Sequence, residues 1–262
     1  MDQQTLQVQL KDLPLGSVGY FPVLESTNTE ALRRIEDGAP HLSLIVADEQ
    51  TSGRGRRGRK WYTLPGSALA FSLILRAEES RPISASRLTG IGALAVCDTL
   101  QNIYDLPAKI KWPNDVLVFG SKLAGVLVEA QWQGDKVSSA VVGIGINVAR
   151  KSVPSQGDLD LPATSVETAA GKPVDRWKLL RQVLLSFLER MPQLELDEFI
   201  QSWEAYLAYR GQMVQLIEEG VEPITGLLLG LNREGLLRLK LPGEEMLIFQ
   251  AGDLKLRQVD RS

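Results

Sequence analysis

The chain has 262 residues, 44% apolar and 23% charged, which suits an ordinary soluble globular protein with one large core, or a main domain plus a small one. Its net charge of −3 argues against general electrostatic attraction to nucleic acid. With only Cys97 and His41, it has no intrachain disulfide and no partner for a histidine-based metal site or a histidine-containing triad.

No uninterrupted apolar run reaches membrane-spanning length, and Met1-Asp2-Gln3-Gln4 lacks a basic-then-apolar signal, so a cytoplasmic protein is expected. Residues 1–19 are polar and weakly patterned and read as a short N-terminal extension. Tyr20 to Leu24 reads as a strand. Thr27 and Glu30 have capping-box spacing and open a helix that Gly38 ends, with Ser26 or Thr27 as its cap. Ser26, Thr27 and Asn28 also place adjacent hydrogen-bonding groups at a strand-to-helix junction, which suits a small polar ligand.

Leu42 to Glu49 is the next strand and delivers Gln50 and the loop Gly53-Arg54-Gly55-Arg56-Arg57-Gly58-Arg59-Lys60-Trp61. That loop holds five cations and no acid, and its glycines let the backbone approach a ligand closely. Arginine forks bind phosphate and carboxylate bidentately, and an indole covers an apolar or aromatic ligand face. The glycines also match G-x-G-x-x-G, but Lys60 to Gly66 offers a Pro-Gly turn signal instead of the helix a dinucleotide fingerprint requires. Entropy and mutual repulsion of the cations predict a lid that orders over an anionic ligand.

Ser67 to Arg76 reads as a buried strand, and Pro82 starts a long helix running to about Tyr104. Pro113 makes Lys109 to Val116 a bend or an edge. Val116 to Phe119 and Lys122 to Gln131 form a hairpin about Gly120-Ser121. Lys136 to Val148 is a strand with Gly143 and Gly145 in its interior, where glycine marks a close approach and hence a binding surface. Residues 150–163 form a loop. Helices follow over Thr164 to Ala170, Asp175 to Met191 and about Leu194 to Tyr206. From Gly211 onward, short strands broken at Gly220, Asn232 to Gly235, Pro242-Gly243 and Gly252-Asp253 predict a small β-barrel.

Five motifs stand in series: Ser26-Thr27-Asn28, Gln50 with the Gly/Arg loop, Lys111-Trp112-Pro113-Asn114-Asp115, Lys122-Leu123-Ala124-Gly125 and Gly143-Ile144-Gly145-Ile146-Asn147. In order and approximate spacing, from about Tyr20 to the C-terminus, the chain resembles the biotin–protein ligases. The resemblance implies an α+β fold. A mixed-sheet catalytic domain of the class II synthetase-like biotin/lipoate ligase type is expected over 20–209, followed by a small SH3-like β-barrel over 210–262.

It also implies that biotin is activated with ATP and Mg²⁺ as biotinoyl-5′-AMP and passed to a lysine of a biotin carboxyl carrier protein, the carrier part of acetyl-CoA carboxylase. Lys122, Arg56 and Asp115 are the implied catalytic residues. Ser26, Thr27, Asn28, Gln50, Gly53, Arg54, Gly55, Arg56, Lys122 and Gly125 are implied at biotin. Arg54, Arg56, Trp61, Lys111, Asn114, Asp115 and Asn147 are implied at the nucleotide, and no metal ligands are assigned. Neither DNA nor membrane is an expected partner, and a monomer or homodimer is expected. Residues 1–19 are too short for the DNA-binding domain of some members, so no repressor activity is expected. Two alternatives remain at this point. One is a lipoate or octanoyl ligase on the same architecture; the other is a nucleic-acid-binding module using the basic loop.

Overall fold

Runs of aliphatic and β-branched residues assemble into two sheets in the computed structural model, which describes residues 3–77, 84–153, 161–217, 222–250 and 255–258. The larger sheet comprises β1 (Val18–Leu24), β2 (Ser43–Gln50), β3 (Ala68–Arg76), β4 (Ala108–Lys111), β5 (Asp115–Val118), β6 (Ser121–Gln133) and β7 (Lys136–Asn147). Their order is β1-β2-β3-β7-β6-β5-β4. β1 and β2 run parallel and every other neighbouring pair is antiparallel, so the sheet is mixed as expected. Pro113 follows a cis peptide bond between β4 and β5, and β4 is an edge strand.

The period of two decides what each face of this sheet meets. Val142, Ile144 and Ile146 of β7 turn into the main core with Leu69, Phe71 and Leu73 of β3, all at most 2% exposed. The helix α3 (Ala85–Tyr104) covers that face, and α5 (Arg176–Arg190) packs on α3. The opposite face carries α2 (Thr27–Glu36), whose Ala31 and Ile35 pack on Ile45, Ile74 and Val141. Cys97 lies in the α3 core at 0% exposure, as a small apolar residue would.

The polar stretch before Tyr20 contains a helix, α1 (Gln3–Leu10), that its weak pattern did not predict. Leu6 and Leu10 stand one turn apart and are buried in the main core. Gln3 fastens the helix to β1, donating to the Val18 carbonyl and accepting from the Tyr20 N–H, both at 2.6 Å. The start expected at Pro82 lies outside the described residues, and α3 is capped by Ser84. Ser26 caps α2 by accepting from Thr29 N–H, and Ser165 caps the short α4 (Val166–Ala170) by accepting from Thr168 N–H at 3.2 Å.

After α6 (Asp197–Tyr206) the chain forms β8 (Met213–Ile217), β9 (Ile224–Leu231), β10 (Leu237–Lys240), β11 (Met246–Phe249) and β12 (Lys255–Gln258). Here the expected SH3-like barrel is corrected. The strands make an open antiparallel sheet in the order β11-β10-β9-β8-β12, and no ladder joins its two ends among the described residues. Closure requires the end strands to pair with a consistent stagger. β11 and β12 offer only four residues each, and β11 leaves Met246 and Ile248 more than half exposed instead of turning them into an enclosed lumen. The breaks expected at Gly220 and Gly252-Asp253 lie outside the described residues.

This second sheet is fused to the first through shared packing. Val214, Leu216, Leu228, Leu237 and Leu239 belong to the same buried cluster as the α3 face of the larger sheet. At the β9–β10 turn the Gly235 carbonyl accepts from Trp112 Nε1 at 3.1 Å and from Ser86 Oγ at 3.3 Å. The buried Arg87 guanidinium donates to the carbonyls of Leu194 and Arg233. Among the described residues no helix is long and apolar enough to cross a membrane.

Candidate active site

One cross-strand row builds the floor of a cavity of about 390 Å³ on the sheet face opposite α3. Register places Ala70, Gly145, Gly125, Asp115 and Lys111 side by side on β3, β7, β6, β5 and β4. Small residues in the middle of this row keep the floor low, and its outer end supplies charge. A Cβ on Gly145 would stand 2.3 Å from the Trp61 ring, and one on Gly143 would stand 2.0 Å from Asn28 Oδ1. The two interior glycines of β7 are there for close approach, as the sequence predicted.

The polar end lies where β1 hands over to α2. Gln50 Oε1 accepts from the Thr27 N–H at 2.8 Å and the Thr27 hydroxyl at 3.1 Å, while Gln50 Nε2 donates to Thr63 Oγ1 at 3.2 Å. Ser72 Oγ lies 2.8 Å from Thr27 Oγ1 and 2.6 Å from Asn28 Oδ1. Asn28 Nδ2 donates to Leu127 O at 3.3 Å and to Glu129 Oε2 at 2.7 Å, which commits both of its protons. Ser26 Oγ, used as an acceptor by the helix, keeps its proton for an acceptor in the cavity, and Gln50 Nε2 keeps a second N–H.

The basic loop is a tight hairpin over the other end. Arg54 and Lys60 form a bridge, Gly55 N–H donates to Arg59 O at 2.7 Å, and Trp61 N–H donates to Gly53 O at 2.8 Å. Arg57 takes a φ of 60° at the turn. Arg54 Nη2 donates to Glu129 Oε2 at 2.8 Å, and Arg56 Nη1 donates to Asn114 Oδ1 at 3.2 Å. Trp61 folds back so that its indole lies against Gly145 and Gly125, with Lys122 Nζ 5.7 Å from the ring centroid. Its Nε1 is buried without a hydrogen-bond partner among the described residues. Lys122 Nζ meets Asp115 Oδ1 at 2.7 Å.

The structure therefore gathers Ser26, Thr27, Asn28, Gln50, Arg54, Gly55, Arg56, Trp61, Lys111, Asn114, Asp115, Lys122, Gly125 and Asn147 around one cavity. Gly53 alone among the expected site residues is set apart. It lines a second, adjoining hollow, and a Cβ added there would stand 2.3 Å from the Trp61 carbonyl oxygen. Asn147 donates to Thr164 O at 3.1 Å, and Lys122 N–H donates to Pro162 O at 2.7 Å, so residues 161–164 cover that side.

Sequence reasoning missed Ser72, Glu129, Ala163 and the β12 pair Leu256 and Arg257, which reach the cavity or its network. Ser72 carried a signal: it is the one polar side chain between Ala68 and Leu75 in an otherwise apolar strand, and it is fully buried. β12 carried none, because only the tertiary fold brings it there. Basic side chains dominate the lining, with Asp115 as the carboxylate among them. Among the described residues no three histidine, cysteine or carboxylate side chains cluster as a metal site.

Comparison with known proteins agrees with this geometry. Residues 20–147 match the profile of the Biotin/lipoate A/B protein ligase family. The bifunctional ligase/repressor BirA of Bacillus subtilis is 36% identical over 226 residues, covering 84% of this chain and 68% of that protein. A biotin–[acetyl-CoA-carboxylase] ligase of Paracoccus denitrificans is 34% identical over 231 residues, covering 86% and 94%. Among solved structures, the biotin protein ligase of Aquifex aeolicus in complex with biotin and ATP superposes with a TM-score of 0.77 at 31% identity, covering 93% of this chain and 99% of that one. The chain belongs to the biotin–protein ligases of the biotin/lipoate A/B protein ligase family.

Proposed function

We propose that this member of the family joins biotin to a lysine of a biotin carboxyl carrier protein in two steps. A biotin carboxylate oxygen attacks the α-phosphorus of ATP, the bond to pyrophosphate breaks, and biotinoyl-5′-AMP forms. The neutral lysine amine then attacks the acyl carbon, AMP leaves with the bonding pair, and the amide nitrogen loses a proton. The observation that carries this reading is a small-residue floor joining neutral hydrogen-bonding groups at one end to concentrated positive charge at the other. A flat urea-type ring suits the first end, where Ser26 and Gln50 retain donors. A carboxylate brought against a polyanion suits the second.

In this reading Lys122 neutralises the carboxylate and α-phosphate once an anion draws it from Asp115. Arg54, Arg56 and the Gly55 backbone wrap the acyl-phosphate linkage. Trp61, Lys111, Asn114 and Asn147 serve the nucleotide side, and Asp115 receives the incoming ammonium or a metal. Mg²⁺ supplies charge neutralisation on the phosphates. A single available carboxylate fits an ion held mostly by nucleotide oxygens. We assign residues 20–209 the chemistry, and 210–262 a supporting wall through Leu256 and Arg257. A cytoplasmic enzyme is part of this reading, supported by the absence of a membrane-crossing helix among the described residues.

The test mixes enzyme, labelled biotin, MgATP and a carrier domain. Label on the carrier lysine is expected, with unlabelled biotin competing and lipoate failing to compete. No transfer, or competition by lipoate at equal concentration, overturns the assignment.

A further inference from the structure

Glu129 stands on β6 two residues beyond Leu127, on the same sheet face as Gly125 and the cavity floor. No sequence motif included it. One of its carboxylate oxygens, Oε2, receives two hydrogen bonds from opposite sides of the site. Asn28 Nδ2 arrives at 2.7 Å from the α2 side, and Arg54 Nη2 arrives at 2.8 Å from the basic loop. Both donors have consequences further on. Holding Nδ2 fixes which way the Asn28 amide points, so Oδ1 faces Ser72, which in turn touches Thr27 and through it Gln50. Holding Arg54 fixes the first limb of a loop whose sequence from Gly53 to Trp61 contains no acid of its own.

We propose that Glu129 is a positioning residue that couples the polar network beneath the cavity to the basic loop above it. A shared oxygen makes the coupling mechanical as well as electrostatic. If Asn28 turns, the oxygen loses one of the two bonds that place it, and Arg54 loses a fixed partner. If the loop lifts, the oxygen loses its Arg54 bond and Asn28 alone holds the carboxylate in place. Filling the network end therefore favours the lowered loop, and the lowered loop pre-orders the network. This deepens the function proposed above and rests on it for the identity of the ligand. The contact between loop and strand belongs to the unliganded protein and is measured without any ligand.

The test uses Glu129→Gln, which keeps size and removes the charge. Timed trypsin cleavage of ligand-free protein, mapped by mass spectrometry, is expected to speed up about fivefold at Arg56 to Lys60, with other sites unchanged. That is the scale for a charged hydrogen bond at a partly exposed pair. Biotin KM in pyrophosphate exchange is expected to rise by about tenfold while kcat changes less than twofold. In an Arg54→Gln background, Glu129→Gln is expected to add little to the cleavage rate, because the shared contact is already gone. Wild-type cleavage in Glu129→Gln overturns the proposal, as do additive effects in the double variant. Faster cleavage at every site with an unchanged biotin KM also overturns it, because it marks general destabilisation. If the wild-type protein fails to activate biotin, the proposed function falls while the ligand-free cleavage arm still decides the coupling.

Discussion

The two faces of β7 are built from neighbouring residues and obey opposite rules. Val142, Ile144 and Ile146 point into the buried core, where size and apolarity are what matter. Gly143 and Gly145 point the other way, where the absence of a side chain leaves room for Asn28 and Trp61. Along one strand, stability and recognition are thus separated by single-residue alternation. Substitutions on one face act on folding and those on the other on binding.

That separation is sharpest in a paired experiment. Ile144→Ala is expected to cost about 2–5 kcal/mol of unfolding free energy in urea titration, with biotin KM unchanged. Gly145→Ala is expected to push the Trp61 indole aside, leaving the denaturation midpoint near wild type and raising the KM for ATP roughly tenfold. Equal loss of stability in both variants would erase the distinction. At the charged end of the floor the expected effect on activity is larger: Lys122→Ala should lower adenylate formation at least ~100-fold with the fold intact. Pyrophosphate release near the wild-type rate would remove Lys122 from the chemistry.

Two smaller effects extend the contrast between exposed loop and buried core. Biotin with MgATP is expected to slow tryptic cleavage between Arg54 and Lys60 several-fold, as closure of the lid over the ligand requires. Equal cleavage with and without ligand would leave the loop an ordinary solvated hairpin. At Cys97 burial pushes the thiol well above its ordinary value of 9.0. The native chain is therefore expected to resist alkylation at pH 8 and to react once unfolded. Because the thiolate is favoured only in the unfolded chain, this group lowers stability as pH rises through about 9.0. Rapid labelling of native protein would contradict the burial.

What the sequence made legible follows the same division. The elements that build the floor declared themselves through long apolar runs and through glycines placed where glycine weakens a strand. Gln50, Lys122 and Asp115 stood at the ends of those elements, so predicting the strands also located them. Ser26 and Ser165 show the limit of local signals: Ser26 caps α2 one residue before Thr27, and Ser165 caps α4 one residue after Thr164, the expected start of that helix. Leu6 and Leu10 form too narrow an apolar stripe to predict a helix, and tertiary packing on β1 and α5 supplies what local propensity does not. Glu129 was hidden because a lone acid in a strand looks like any solvated position until its two partners arrive from distant segments. The second sheet was legible as short strands. Its failure to close was not, since pairing between the two end strands, β11 and β12, leaves no periodic trace.

The strand order has a consequence for how the site comes into being during synthesis. β1 to β3 and β4 to β7 are each local in sequence, and they meet along the single long ladder between β3 and β7. Ala70 belongs to the first group, Gly145 and Gly125 to the second, so the cavity floor straddles the seam between the two groups. A nascent chain that has completed only the first group owns no binding site. Ligand capacity is expected only after residue 147 has emerged and β7 has paired with β3. Biotin added to a translating ribosome should therefore report the moment of docking, not the appearance of any one element.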